Sequence, residues 1–150
     1  MALMDWLRRR LAGDEKAELT LSPEEKSLSG LDLQQVLGAH MAWKEKLQTT
    51  LDGKSTEKLD PRVVAQDNLC VLGKWLYGPG KPLYSHLPAY ETLRRTHADF
   101  HLCAGEVLTK YQSNNPNAAA VLLRGKFRST SNKIQLDLVQ LFASAQSKKK

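Results

Sequence analysis

The chain has 150 residues, of which 41% are hydrophobic, with nine Gly and six Pro. That is enough for one domain with a real core, too few for two ordinary ones, and it fits a globular, largely helical protein. The formal charge of +6 is carried by the ends: without Arg8, Arg9, Arg10, Lys148, Lys149 and Lys150, sixteen basic residues face sixteen acidic ones. A balanced body implies no broad basic face, so a nucleic-acid partner is not expected. No apolar run approaches a membrane span, and the first residues are too short for a signal-peptide core, so stable membrane insertion is not expected and the cytoplasm is.

In chain order, Met1 to Gly13 reads as a short amphipathic helix with Leu3, Leu7 and Leu11 on one face, suited to covering the core, a partner subunit or a membrane surface. Asp14 to Leu21 is a polar linker, so residues 1–21 stand apart from a helical body at 22–145. Ser22-Pro23-Glu24-Glu25 is a helix start: Ser caps, Pro takes the first helical position, and acids follow. Leu31 to Leu51 is a helix with Leu33, Val36, Leu37, His40, Trp43, Leu47 and Leu51 on its inner stripe, closed by Asp52-Gly53.

Asp60-Pro61 opens a second long helix, expected to run unbroken from Arg62 to Tyr77. Asp67, Cys70 and Gly73 would share one of its faces. Gly73 suggests something bulky close to the backbone, since glycine there costs about 1 kcal/mol relative to Ala. Gly78-Pro79-Gly80-Lys81-Pro82 is a break. Leu87 to Tyr111 is the third helix, with Tyr90, Leu93, His97, His101, Ala104 and Leu108 inward. Ala118 to Ala145 is the last, with Val121, Leu122, Gly125, Leu138, Val139 and Leu141 among its inward candidates. Residues 146–150 form a basic tail. No segment alternates convincingly as a strand. The expected fold is all-α: an antiparallel four-helix bundle with a short extra N-terminal helix.

Four residues on three segments carry the chemistry. His97 and His101, four apart, set two imidazoles on one helix face. His40 lies on the inner stripe of its helix, and Cys70 sits mid-segment. Each alone reads as a satisfied core histidine or a small buried hydrophobe. Together, three buried histidines beside a thiol with no common purpose would be costly. Three imidazoles and one thiolate complete a tetrahedral zinc shell, and soft sulfur with nitrogen disfavours magnesium and calcium. Since Cys70 would fill the fourth position, no place is left for a catalytic water. There is also no His-Glu-x-x-His, nucleophile elbow or phosphate-cradling glycine loop. An enzyme is not expected. Asp67, one turn before Cys70, is placed to accept a hydrogen bond from a ligand imidazole. His86 should be exposed, and Cys103, about 200° around the helix from His101, should be buried filler. A zinc-bound thiolate open to oxidants such as hypochlorous acid would make Cys70 a redox switch, each helix being tied to the others through the ion. A purely structural zinc in a passive adaptor is the alternative, and a zinc hydrolase with a labile Cys ligand a remoter one.

These residues resemble the bacterial chemoreceptor zinc-binding domain, whose motif runs His-x-x-aromatic, Cys-x-aliphatic-Gly-x-aromatic, then His-x-x-x-His. The chain supplies His40-Met41-Ala42-Trp43, Cys70-Val71-Leu72-Gly73-Lys74-Trp75 and His97-Ala98-Asp99-Phe100-His101, with spacers of 26 and 21 residues. The resemblance implies a helical bundle with one zinc held by His40, Cys70, His97 and His101. It also implies signalling to chemotaxis or diguanylate-cyclase (cyclic-di-GMP) partners, and a homodimer. The chain has neither a receptor signalling coil nor a cyclase domain, so it looks like a stand-alone member.

Overall fold

The computed structural model describes residues 2–13, 26–55 and 58–147. The linker at Asp14 to Leu21, the start at Ser22 to Glu25, the final lysines and the side chains of Leu3, Leu7 and Leu11 lie outside the described residues. The elements run α1 (Ala2–Leu11), β1 (Ser27–Leu28), β2 (Leu31–Asp32), α2 (Leu33–Leu51), α3 (Pro61–Val64), α4 (Val71–Tyr77), α5 (Gly80–Tyr84), α6 (Pro88–Gln112), α7 (Pro116–Leu122), a π-helical turn (Leu123–Phe127) and α8 (Arg128–Ser147). The described residues are all-α but for one small hairpin in which Ser27 pairs with Asp32 and Leu28 with Leu31. Its turn sets Ser29 and Gly30 at positive φ, and Asp32 then caps α2 by accepting from the Gln35 N–H. No helix among the described residues is long and apolar enough to cross a membrane.

The core lies where α6 meets α7 and α8, with α2 laid across α6 and α8. Leu93, Phe100, Ala104, Val107 and Leu108 of α6 are fully buried against Phe127, Ile134, Leu138, Leu141 and Phe142. One polar contact sits inside this seam. Asp137, 3% exposed, accepts from the Thr96 hydroxyl at 2.6 Å and from Lys133 Nζ at 3.1 Å. A buried carboxylate is tolerated because it is both paired and hydrogen-bonded. Trp6, 2% exposed, buries α1 on α8, so that helix covers the core.

Three expectations are corrected. The helix at 62–77 is two short helices, α3 and α4, with a turn at 65–70 between them. Cys70 is the N-cap of α4, its sulfur accepting from the Gly73 N–H at 3.4 Å. The turn folds back so tightly that a Cβ on Gly73 would stand 1.9 Å from the Asp67 carbonyl oxygen. What crowds Gly73 is the chain's own preceding loop. Second, the Gly/Pro stretch is interrupted only near Gly78, and α5 follows at once, with Gly80 under the Trp75 ring. Third, the last helix carries the π turn. One extra residue per turn rotates the preceding stretch out of register, so Val121 is 62% exposed and Gly125 faces open space, whereas Phe127 is buried.

The long helices match their hydrophobic periods. α6 starts with Pro88 at its first turn, where a missing N–H does no harm. α3 packs on α6 at Gly105, where a Cβ would meet Ala65 Cβ and the Pro61 carbonyl at 2.9 Å.

Gly73→Ala is expected to destabilise the protein by about 1–3 kcal/mol, since backbone must move to admit the methyl group. Gly38→Ala, on the exposed side of α2 with nothing within 4 Å, should instead stabilise by up to about 1 kcal/mol. Urea unfolding of the two variants side by side checks the contrast.

Candidate metal centre

α2 delivers His40 to the interior because Val36, Leu37 and Leu47 on the same stripe are buried. α6 delivers His97 and His101, one turn apart, beside Leu93, Phe100 and Ala104. The turn between α3 and α4 delivers Cys70. The three imidazoles are 3%, 0% and 4% exposed in chain order, and the thiol is half-buried. One donor atom from each residue lies within 4.8 Å of all the others.

Cys70 Sγ is 3.2 Å from His97 Nε2 and 3.6 Å from His101 Nε2, and those two nitrogens are 3.0 Å apart. Zinc bonds of roughly 2.0–2.1 Å to nitrogen and 2.3 Å to sulfur give tetrahedral edges of roughly 3.4 Å and 3.6 Å. The observed separations are close to those edges.

The far sides of two rings are already committed. His40 Nδ1 is 2.8 Å from the Val36 carbonyl, and His101 Nδ1 is 2.9 Å from the Val64 carbonyl. A carbonyl only accepts, so each Nδ1 carries the proton and each Nε2 presents a lone pair to the cluster. Among the described residues, the buried side-chain polar atoms without a hydrogen-bond partner are His40 Nε2 and His97 Nδ1. A buried bare lone pair aimed at three other soft donors is what a metal ion would satisfy. The donor set therefore fits zinc. His97 has no carbonyl behind its ring and is the least anchored of the three.

Asp67 is not among the groups holding these rings; backbone carbonyls of Val36 and Val64 take that place. Because 65–70 is a turn and not a helix, the Asp67 carboxylate swings to Tyr77, whose hydroxyl donates to it at 2.5 Å. Its charge still reaches the cluster and raises the proton affinity of both His101 and Cys70. Phe100, fully buried, walls the site with ring centroids 5.2 Å from His40 and 5.4 Å from His101, and Phe127 of the π turn backs it at 5.1 Å. Trp75 ties α4 to the hairpin through its indole N–H to the Ser29 carbonyl at 3.0 Å, and its ring stacks on Tyr84. Trp43 is partly buried with Lys46 over its face. His86 is exposed and Cys103 is 1% exposed in the core, away from the cluster. The Thr96–Asp137–Lys133 contact was not foreseen, although an acid between Leu136 and Leu138 on an inward stripe was a legible sign of it.

Burial governs protonation here. Desolvation lowers His40 from 6.5 to about 4, against the opposing pull of the Val36 carbonyl. Desolvation, then the nearby His40 and His101, lower His97 to about 2. His101 is lowered by desolvation, partly offset by Val64 and Asp67. All three imidazoles are thus neutral near pH 7 and ready to donate electron pairs. Desolvation raises the Cys70 thiol, with the Gly73 and Leu72 N–H groups opposing, so without a cation beside it the sulfur stays protonated.

A histidine with a depressed folded-state value binds fewer protons folded than unfolded, so stability rises with pH. The contribution is whole above the unfolded value of 6.5 and is lost as pH falls from there toward about 4 for His40. Metal-free protein should therefore lose melting temperature steadily between pH 7 and pH 4.5, and His40→Phe should flatten that slope. Thermal melts in chelator across this range measure it.

Comparison with known proteins gives one match. No curated protein and no solved structure matches the chain. Residues 40–108, which begin at His40 and enclose Cys70, His97 and His101, match the family model described as the chemoreceptor zinc-binding domain. Over that stretch, a little under half of the chain, the sequence is similar to the chemoreceptor zinc-binding domain, which supports assignment to that family.

Proposed function

We propose that this protein is a zinc-dependent sensory module in which His40, Cys70, His97 and His101 hold one Zn²⁺ on an antiparallel helical bundle. The observation that carries the reading is the convergence of four donor atoms within 4.8 Å, two of the three rings being pre-set by backbone carbonyls. Zinc supplies the positive charge that keeps the sulfur as a thiolate, against the raised proton affinity that burial alone imposes. The four donors fill the shell, which favours a binding module over a catalyst.

Sensing rests on the asymmetry of the site. The histidines are buried, while Cys70 is half-exposed in a short turn between Val63, Leu69 and Val71, themselves 45–55% exposed. An oxidant such as hypochlorous acid transfers its oxygen to the thiolate and leaves as chloride, giving a sulfenic acid. Sulfenic acid is the weaker donor, so the oxidised chain holds zinc less tightly. Because Cys70 also caps α4, the change reaches that helix. The downstream partner is a chemotaxis or cyclic-di-GMP signalling protein in the cytoplasm, engaged by a homodimer. A zinc that only staples the fold is the competing reading.

Protein purified without added metal should contain one zinc per chain, and Cys70→Ala much less, by metal analysis. Removing zinc with a strong chelator should lower the melting temperature by several degrees, because the ion binds the folded state alone. Stoichiometric hypochlorous acid should release zinc to a chromogenic chelator within minutes from wild type. A zinc that stays bound under both treatments would mark a structural staple.

A further inference from the structure

A clasp of polar side chains closes over the segment that carries Cys70. Tyr77 ends α4, Asp67 lies in the turn before it, and across these ten residues the Tyr77 hydroxyl donates to the Asp67 carboxylate at 2.5 Å. The loop so closed contains Cys70 and Gly73. Its Tyr77 end is anchored. Leu76, beside it, is fully buried, and the Leu76 carbonyl accepts from the Tyr90 hydroxyl of α6. The Tyr77 hydroxyl also interacts with Arg94 of α6, whose guanidinium donates twice to Glu91, at 2.9 Å and 2.6 Å. Arg94 stands one turn before His97.

The flanks of the turn are tied to the bundle by other contacts. Val64 accepts from His101 on one side, and Trp75 donates to Ser29 on the other. Within the turn, Gln66 bonds back to the Arg62 carbonyl of α3. Among the described residues, Asp67 is therefore the side chain that joins the middle of the turn to a fixed element. The four donors differ in the same way. His40, His97 and His101 stand on the long helices α2 and α6, in the core. Cys70 caps a seven-residue helix after a turn. A tetrahedral shell opens by losing one donor, and the sulfur is the one that can step away without disturbing the core.

We propose that Tyr77 is a positioning residue, whose hydroxyl pins the Asp67 turn and so sets how fast Cys70 can withdraw and zinc can leave. The role rests on the reading of the four donors as a zinc site. Tyr77 acts through Asp67, by closing a short loop, and a loop that loses its closing contact gains conformations in the open state. A hydrogen bond to a charged acceptor is among the stronger kinds, although Tyr77 is 42% exposed and water competes for it. Opening of the turn also breaks the bond from the Gly73 N–H to Cys70 Sγ at 3.4 Å, so backbone amides report it.

Hydrogen exchange of the full chain, in chelator, is followed by mass spectrometry for wild type, Tyr77→Phe and Asp67→Asn. Tyr77→Phe keeps the ring and loses the hydroxyl; Asp67→Asn keeps an acceptor oxygen and loses the charge. Amides of residues 65–73 are expected to exchange roughly threefold to tenfold faster in Tyr77→Phe, with α2 unchanged and Asp67→Asn close to wild type. In the zinc-loaded chain, Tyr77→Phe should bind the same amount of zinc but lose it to a chromogenic chelator faster by a similar factor. Exchange at 65–73 that stays at the wild-type rate, or that rises equally in α2, overturns the clasp. So does faster exchange in Asp67→Asn with Tyr77→Phe unmoved, which would assign the effect to charge. Faster exchange with unaltered zinc release overturns the link to the metal. A wild-type chain that takes up no zinc sinks the metal-centre reading instead, and the exchange arm, run without metal, still decides the clasp.

Discussion

The fold turns on the desolvation of three imidazoles at one point. Each ring has given up water, and that burial lowers each ring's proton affinity below its ordinary value. That penalty fixes the protonation state and so leaves lone pairs facing a common centre. It also demands geometry. α2 and α6 must approach closely enough for His40 and His97 to sit with ring centroids 5.2 Å apart, and the thiol must be brought in from a third part of the chain.

Bringing the thiol in explains the local oddities of residues 61–80. A continuous helix would spread Asp67, Cys70 and Gly73 along one face and lay its whole length against α6. Instead the chain stops at Val64, whose carbonyl accepts a hydrogen bond from His101 Nδ1, turns, and restarts at Cys70 with the sulfur as cap. The same short break therefore supplies a ligand candidate, a carbonyl that sets a tautomer, and a helix start. Gly73, Gly78, Gly80 and Gly105 are places where this compactness has no room for a Cβ. Trp75, held by the hairpin carbonyl of Ser29, keeps α4 from drifting outward.

The parts of this arrangement legible in the sequence were those with a period or a side-chain type. The stripes of α2 and α6 placed His40, His97 and His101 inward, and α6 begins and ends within a residue of its expected bounds. The break at 65–70 left no sign in the period, because Val63, Val64, Leu69 and Leu72 also suit a helix; its cause is a sulfur cap and a backbone close approach, neither of which is a propensity. The π turn was equally hidden, and it misdirected Val121 and Gly125. Asp67 was placed by helical geometry that the chain does not adopt. The carbonyls of Val36 and Val64 do the work expected of it, and main-chain partners have no sequence signature at all.

The half-exposure of Cys70 beside three sealed histidines sets an order of encounter. Cys70 is the member of the cluster nearest to solvent, and Val63, Leu69 and Val71 present exposed apolar surface in the same stretch. Small uncharged molecules pass such an apolar threshold more readily than hydrated ions or bulky peptides. Access to the cluster is therefore uneven, with one donor residue open to the surface and three closed off.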